Sequence, residues 1–252
     1  MTLPLATPFP LEKSPFYSRV SSLLTGSPTK NYYAIAFNPG YPLQASELNE
    51  LQELFFINST LNARYPVEWT ISGTSGVPFW QGLIPYNPSY VTITDLVLNN
   101  NRFTGDISIS SGWYLWTEFE SKLSYWIYLE NDVNGSFDIP INSQSYVGFT
   151  VKDEIISCCS SSTCTEEQDS ELRDNSSGFP GSYLTCGASR LKATITEQVD
   201  FRDSIPTTAD PDGTYWSLLF KIVTDNNTIS AYYINNNDNI IFTKIALTEA
   251  DS

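Results

Sequence analysis

The sequence predicts a mainly β protein, an antiparallel sandwich or barrel, with one prominent N-terminal amphipathic α-helix and an extended N-terminal arm. The chain has 252 residues, of which 41% are hydrophobic and 14% aromatic, so it can form a sizeable core from residue types that favour strands. Short apolar runs alternate with Gly, Pro and Asn clusters, as in antiparallel sheets. The stretch from Phe37 to Asn58 instead reads plainly as a helix.

Residues 1–30 are predicted to form the extended arm. This stretch is rich in Pro, Ser and Thr, and four prolines precede residue 16. It has no basic start typical of a signal peptide, and no run in the chain approaches the roughly 20 apolar residues of a membrane span. We therefore expect no membrane insertion. The run "NYYAIAF" that follows predicts a strand, which ends at the turn residues Asn38-Pro39-Gly40.

A strand, a turn and a helix make up the predicted docking segment 31–65. Ser46 is a favourable N-cap, and Glu47 and Glu50 place negative charge in the first helical turn, where the helix dipole favours it. Two neighbouring apolar stripes follow at helical spacing, and Pro66 cannot continue the helix. The stripes are Leu48, Leu51 and Phe55, and Leu54, Ile57 and Leu61. The residues predicted to make protein contacts are Leu43, Leu48, Leu51, Leu54 and Phe55.

Residues 66–252 are predicted to form a β-rich body. Its strand-like runs include "YVTITDLVL", "GDISIS", "YWIYLEN", "YVGFTV", "TYWSLLFKIVTD", "TISAYYIN" and "NIIFTKIAL". They are separated by turn residues, which favours a meander of hairpins. The segment "SGWYLWTEFESKL" fits a short helix or a strand, and its sequence does not choose between them.

Within this body, the polar and serine-rich stretch 152–190 is predicted to be a long exposed insertion. It contains all four cysteines, Cys158, Cys159, Cys164 and Cys186. Their spacing lacks the paired C-x-x-C motifs of a zinc site, so we expect no metal and interpret them as candidates for disulfides or as reduced thiols. Four cysteines allow three pairings, and the sequence does not distinguish these.

The composition argues against several classes of function. The formal charge of −15 repels nucleic acid, and the complete absence of histidine removes the usual catalytic base and the commonest metal ligand. No nucleotide-binding glycine motif occurs, so we expect no cofactor. Glu118 and Glu120 lie among tryptophans, as in a sugar cleft, but acidic residues two apart on a strand are common in so acidic a chain. We expect no enzymatic activity.

The segment "FNPGYPLQASELNELQELF" resembles a segment that recurs in structural proteins of tailed-bacteriophage virions, especially cyanophage baseplate and fibre-associated proteins. The similarity is carried by about twenty residues, among them Leu43, Gln44, Ala45, Glu47, Leu48, Asn49 and Gln52. The resemblance implies a non-enzymatic structural subunit of a phage tail, of the baseplate or the fibre-attachment junction. Such a subunit would form a homo-oligomer, contact other tail or baseplate proteins, assemble in the cytoplasm of the host bacterium and reside in the virion.

Two alternatives remain at this point. The body could be a receptor- or carbohydrate-binding module of the tail, in which Trp113 and Trp116 stack on host glycans. Less favoured is a glycosidase that uses Glu118 and Glu120.

Overall fold

A computed structural model of the chain describes residues 32–37, 47–48, 50–52, 54–55, 58–59, 61–62, 82–117, 124–158, 168–169, 188–206, 214–234 and 239–247. The described part is mainly β, with antiparallel sheets, which confirms the predicted fold class at that level. The predicted arm 1–30 and the Pro-Gly turn lie outside the described residues.

Fourteen strands are described. In chain order they are β1 (Tyr32–Ala36), β2 (Gly82–Pro85), β3 (Val91–Asn99), β4 (Arg102–Ile109), β5 (Gly112–Thr117), β6 (Ser124–Leu129), β7 (Val133–Pro140), β8 (Gln144–Cys158), β9 (Gln168–Asp169), β10 (Ser189–Ile195), β11 (Asp200–Arg202), β12 (Thr214–Thr224), β13 (Thr228–Ile234) and β14 (Asn239–Ala246). A short 3-10 helix, Pro88–Tyr90, precedes β3 and is capped by the Asn87 side chain.

The chain divides into two compact units, and the first consists of residues 1–60 and 153–193. In this unit β1 pairs antiparallel with β10, and the strand order continues to β8. The short β9 pairs in parallel with the end of β8. A small apolar cluster forms here from Tyr32, Leu54 and Ile156, with Ile35 packed against it.

The predicted helix is described only in part. Its described residues, 47–48, 50–52, 54–55, 58–59 and 61–62, are helical. Leu54 is buried in the apolar cluster of the first unit, so this residue attaches the helix to β1 and β8.

The second unit consists of residues 61–152 and 194–252 and holds most of the apolar core. It contains two three-stranded sheets, β2-β5-β6 and β3-β4-β7, and the strand order β8-β12-β13-β14. The sheet formed by β2, β5 and β6 packs on β12, and across this contact the indole of Trp116 on β5 donates to Ser217 Oγ at 3.0 Å. The core is therefore formed between stacked sheets.

Local sequence explains the hairpin of β3 and β4. Asn100 and Asn101 lie between the paired residues Asn99 and Arg102, and both have positive φ values, 49° and 58°. Two adjacent residues of positive φ form the hairpin turn whose twist matches the flanking strands, and Asn tolerates that conformation. Burial then alternates along β4 as its sequence alternates.

Gly82 permits the close approach of β2 to β12. Its φ is +130°, and a Cβ at this position would collide with the Leu218 carbonyl oxygen. A side chain would therefore separate the two strands, which makes glycine the residue that fits here.

Two segments whose conformation the sequence left open or assigned to a loop are strands. The first part of "SGWYLWTEFESKL" is β5, hydrogen-bonded to β2 on one side and to β6 on the other. Residues 152–158, the beginning of the predicted insertion, continue β8, and Ser189 and Arg190 at its other end begin β10.

Candidate functional site

The helix carries its acidic residues on the buried side. Glu47 and Glu50 are 1% and 0% exposed, although both belong to a residue type that is rarely buried without a partner. They share one stripe with Leu54, at positions i, i+3 and i+7 of the helix. The stripe that the helix turns toward the first unit is therefore acidic at its beginning and apolar further on.

Arg190 on β10 is the partner of this acidic stripe. Its Nε and Nη2 donate to the two carboxylate oxygens of Glu50, each at 2.7 Å, and both side chains are fully buried. Arg190 Nη1 donates to the Ala188 carbonyl, while the Ala188 amide donates to the Glu47 carboxylate. This arrangement of Glu47, Glu50, Ala188 and Arg190 is called the clasp below. A bidentate pair of this kind fixes orientation as well as distance.

The stripe next to the clasp is apolar and exposed. Leu48 and Leu51 are 43% and 44% exposed, and Phe55 is 67% exposed. With 3.6 residues per turn, these side chains lie about 100° around the helix axis from the buried stripe. Of the protein-contact residues predicted from the sequence, the structure thus exposes these three and buries Leu54. Leu43 lies outside the described residues.

The described surface of the helix carries no charge. Its exposed residues are Leu48, Leu51, Gln52, Phe55, Ser59 and Asn62. In a chain with a formal charge of −15, an exposed helix surface of this composition differs from the average surface. It is chemically suited to contact with another protein surface.

The tryptophans that the sequence offered for glycan stacking occupy different environments. Trp116 is fully buried and bonded to Ser217, so it is not available to a ligand. Trp113 is half-buried and packs edge-on against Tyr128, with ring centroids 5.2 Å apart. Glu118 and Glu120 lie outside the described residues.

Tyr114 and Asp132, in the second unit, have displaced pKa values. Burial, followed by the charge of neighbouring Tyr90 and Asp132, raises the pKa of Tyr114 far above its ordinary value. The pKa of Asp132 is lowered because the Ser111 backbone amide donates to its carboxylate. Asp132 accepts from the Ser111 amide and Tyr114 donates to the Ser110 carbonyl, so both groups fix the residues that lead into β5.

Within the described residues, no group of three or more acidic residues and cysteines is placed to hold a metal ion. Cys158 ends β8, where it pairs with Asp169. Cys159, Cys164 and Cys186 lie outside the described residues, so their predicted pairing stays a prediction. None of the helical residues that the structure describes belongs to a helix with the length and apolar character needed to cross a bilayer.

The clasp was not foreseen from the sequence. The sequence explains Glu47 and Glu50 as favourable charges at a helix start, and no pattern in it marks Arg190. One signal in the sequence is the helical spacing of Glu47, Glu50 and Leu54, which places two acids in line with a leucine.

In comparisons with known proteins, no family model matches the chain, and no curated protein and no solved structure matches it significantly.

Proposed function

We propose that the protein is a non-enzymatic structural subunit of a bacteriophage tail, of the baseplate or fibre-attachment junction, that assembles through its helix. The phage assignment is supported by the resemblance of residues 37–55 alone. The docking role is supported by one structural observation, the exposure of Leu48 and Leu51 beside a fully buried clasp. In this proposal the protein resides in the virion and also contacts other tail proteins.

The clasp explains how an apolar stripe stays outside. An isolated amphipathic helix is expected to bury its leucines against its own domain. Here Glu50 and Arg190 hold the helix with directional bonds, and rotating Leu48 and Leu51 inward would move Glu50 away from Arg190. Separating that pair would leave the buried Arg190 guanidinium without its carboxylate partner. The helix is therefore held in an orientation that presents the leucines.

The occupant that we infer for the exposed stripe is a second copy of this chain. Residues 48, 51 and 55 follow the alternating spacing of three and four that lets two helices pack side by side. Such a stripe is self-complementary, which suits a symmetric contact between identical subunits. Each large apolar side chain that becomes fully buried contributes about 1.5–3 kcal/mol. The described exposed residues of the helix carry no charge, so they add no repulsion to this contact.

The test is the oligomeric state of Leu51→Asp, measured by sedimentation velocity on the full chain. We expect the wild-type protein to form an oligomer. Leu51→Asp should raise the dissociation constant of this oligomer at least tenfold, because a carboxylate would be buried in an apolar contact. Gln198→Asp adds the same charge at an exposed position of the second unit, away from the helix, and should change the association much less.

Circular dichroism of both variants checks that the β fold is retained. A wild-type monomer, or an oligomer that resists Leu51→Asp, would overturn the second-copy contact. Equal dissociation by both variants would do the same, because it would reflect charge alone.

A further inference from the structure

A cavity of about 430 Å³ lies in the second unit, beside β7, the turn into β8 and the end of β11. Its lining includes Ser136, Phe137, Gln144, Ser145, Phe201 and Asp203. This volume falls within the roughly 300–1,000 Å³ that is common for small-molecule sites. The lining combines two phenylalanine residues with residues that carry hydroxyl, amide and carboxylate groups.

Several of these polar groups have no hydrogen-bond partner in the described part of the chain. The side chains of Ser136, Gln144, Ser145 and Asp203 make no hydrogen bond there, and Ser145 is only 8% exposed. Asp138, which also lines the cavity, is instead held by Arg102, with Nε 2.6 Å from Oδ1. The cavity therefore offers donors and acceptors that are not used internally, next to one carboxylate whose position is fixed.

The charge of the lining selects the ligand class. Asp138 and Asp203 both contribute carboxylates, and the formal charge of the chain is −15, so an anionic ligand would be repelled. The exposed hydroxyl groups of a neutral sugar can donate to the carboxylates in charge-assisted bonds and exchange further bonds with Gln144 and the serines. Phe201, which is half-buried, supplies apolar surface for the C–H face of a sugar ring, whereas the Phe137 ring is 6% exposed and lies against Gly105.

We propose that this cavity is a binding site for a neutral saccharide unit. The proposal goes beyond the structural role of the helix and does not depend on it. Asp203 is the principal acceptor of sugar hydroxyls, Asp138 is a second acceptor positioned by Arg102, and Gln144 and Ser145 complete the polar side of the site.

The test is a titration of the isotopically labelled full chain with glucose, galactose, mannose and N-acetylglucosamine, followed by backbone amide chemical shifts in the presence of EDTA. We expect at least one of these sugars to shift the amides of residues 136, 144, 145 and 203 together, with a dissociation constant on the order of 1 mM. Glucuronate, which carries a carboxylate, should bind at least tenfold more weakly than glucose if glucose is the sugar that binds.

Asp203→Asn should weaken the binding of the same sugar about tenfold, because a charged acceptor is lost. Asp95→Asn makes the same chemical change at an exposed position of positive φ outside the cavity, where asparagine is tolerated, and should leave binding unchanged.

Saturation with none of the four sugars at about 50 mM, far above a millimolar dissociation constant, would overturn the proposal. Shifts outside the cavity, or equal weakening by Asp203→Asn and Asp95→Asn, would also overturn it. The Leu51→Asp variant should bind the sugar with the same dissociation constant as the wild-type chain. Sugar binding by a chain that forms no oligomer would refute only the docking role, and an oligomer that binds none of the sugars would refute only this site.

Discussion

The two units of the protein stabilise their interiors by different means. The first unit has a small apolar cluster around Leu54, and its helix is held by the fully buried pair of Glu50 and Arg190. The second unit has an extensive apolar core that also holds buried hydrogen bonds, such as Trp116 with Ser217 and Tyr233 with the Pro88 carbonyl. Directional bonds fix the orientation of an element, whereas apolar burial rewards contact of almost any geometry. The unit whose helix exposes Leu48 and Leu51 is the one that uses directional bonds.

The largest effect is expected from breaking the clasp. Glu50→Leu leaves the Arg190 guanidinium buried without its partner and should lower the free energy of unfolding by about 3–5 kcal/mol. The double variant Glu50→Leu/Arg190→Met should recover most of this loss, because the charge is removed with its partner. Urea denaturation followed by circular dichroism measures both.

The exposed ion pair of Arg102 and Asp138 in the second unit provides the control. These side chains are 45% and 58% exposed, so Arg102→Met should cost less than about 1 kcal/mol. If Glu50→Leu costs no more than Arg102→Met, the clasp does not hold the helix, and the contrast between the two units fails.

A smaller effect is expected in the second unit from Ser217→Ala. This change removes the Ser217 hydroxyl that accepts from the buried Trp116 indole N–H, which should lower the free energy of unfolding by about 1–3 kcal/mol. Ser204→Ala, at an exposed serine, should cost less than about 0.5 kcal/mol. Thermal or urea denaturation of the two variants under identical conditions gives the difference. Equal stability of the two serine variants would show that the core of the second unit does not depend on this bond.

The smallest effect at neutral pH is expected from Tyr114→Phe, which removes the hydrogen bond from the phenol to the Ser110 carbonyl and should cost about 1 kcal/mol. The stability difference between Tyr114→Phe and the wild-type chain should become smaller above pH 10, because burial raises the pKa of Tyr114 above its ordinary 10.0. The raised pKa favours the protonated folded state, so this contribution is complete below pH 10 and is lost as pH rises, at about 1.4 kcal/mol per pH unit.

Stability measured between pH 7 and pH 11 separates the two parts of this prediction. Tyr114→Phe should be less stable than the wild-type chain at pH 7 but should lose less stability above pH 10. Parallel pH dependences for the two proteins would show that Tyr114 does not stay protonated in the folded state.

The strands of the second unit follow from the sequence because their pattern is local. In β4, Phe103, Ile107 and Ile109 are buried on one face as the alternation predicts. The segment that became β5 could not be assigned locally, since Trp113 to Trp116 fit a helix and a strand alike. Its hydrogen bonds to β2 and β6 decided the outcome, and the residues of β5 alone do not reveal either partner strand.

The orientation of the helix could not be predicted for a similar reason. Two adjacent apolar stripes gave no preference, and the residue that decides between them, Arg190, is 140 residues from Glu50 in the chain. The spacing that aligns Glu47 and Glu50 with Leu54 does not by itself show which stripe is buried. The cavity near Asp203 was equally hidden, because it combines residues from β7, β8 and the segment after β11. The strand pairings that bring these residues together are known only from the fold.

The clasp also contains a natural spectroscopic reporter. The Ala188 amide is buried and donates to the Glu47 carboxylate, so its proton reaches water only when the helix leaves β10 or the unit unfolds. Hydrogen exchange at this one amide therefore measures how often the helix detaches. In an assembled oligomer, slower exchange at Ala188 would show that subunit contact and helix attachment reinforce each other, since anything that binds only the attached form lowers the population of the detached one.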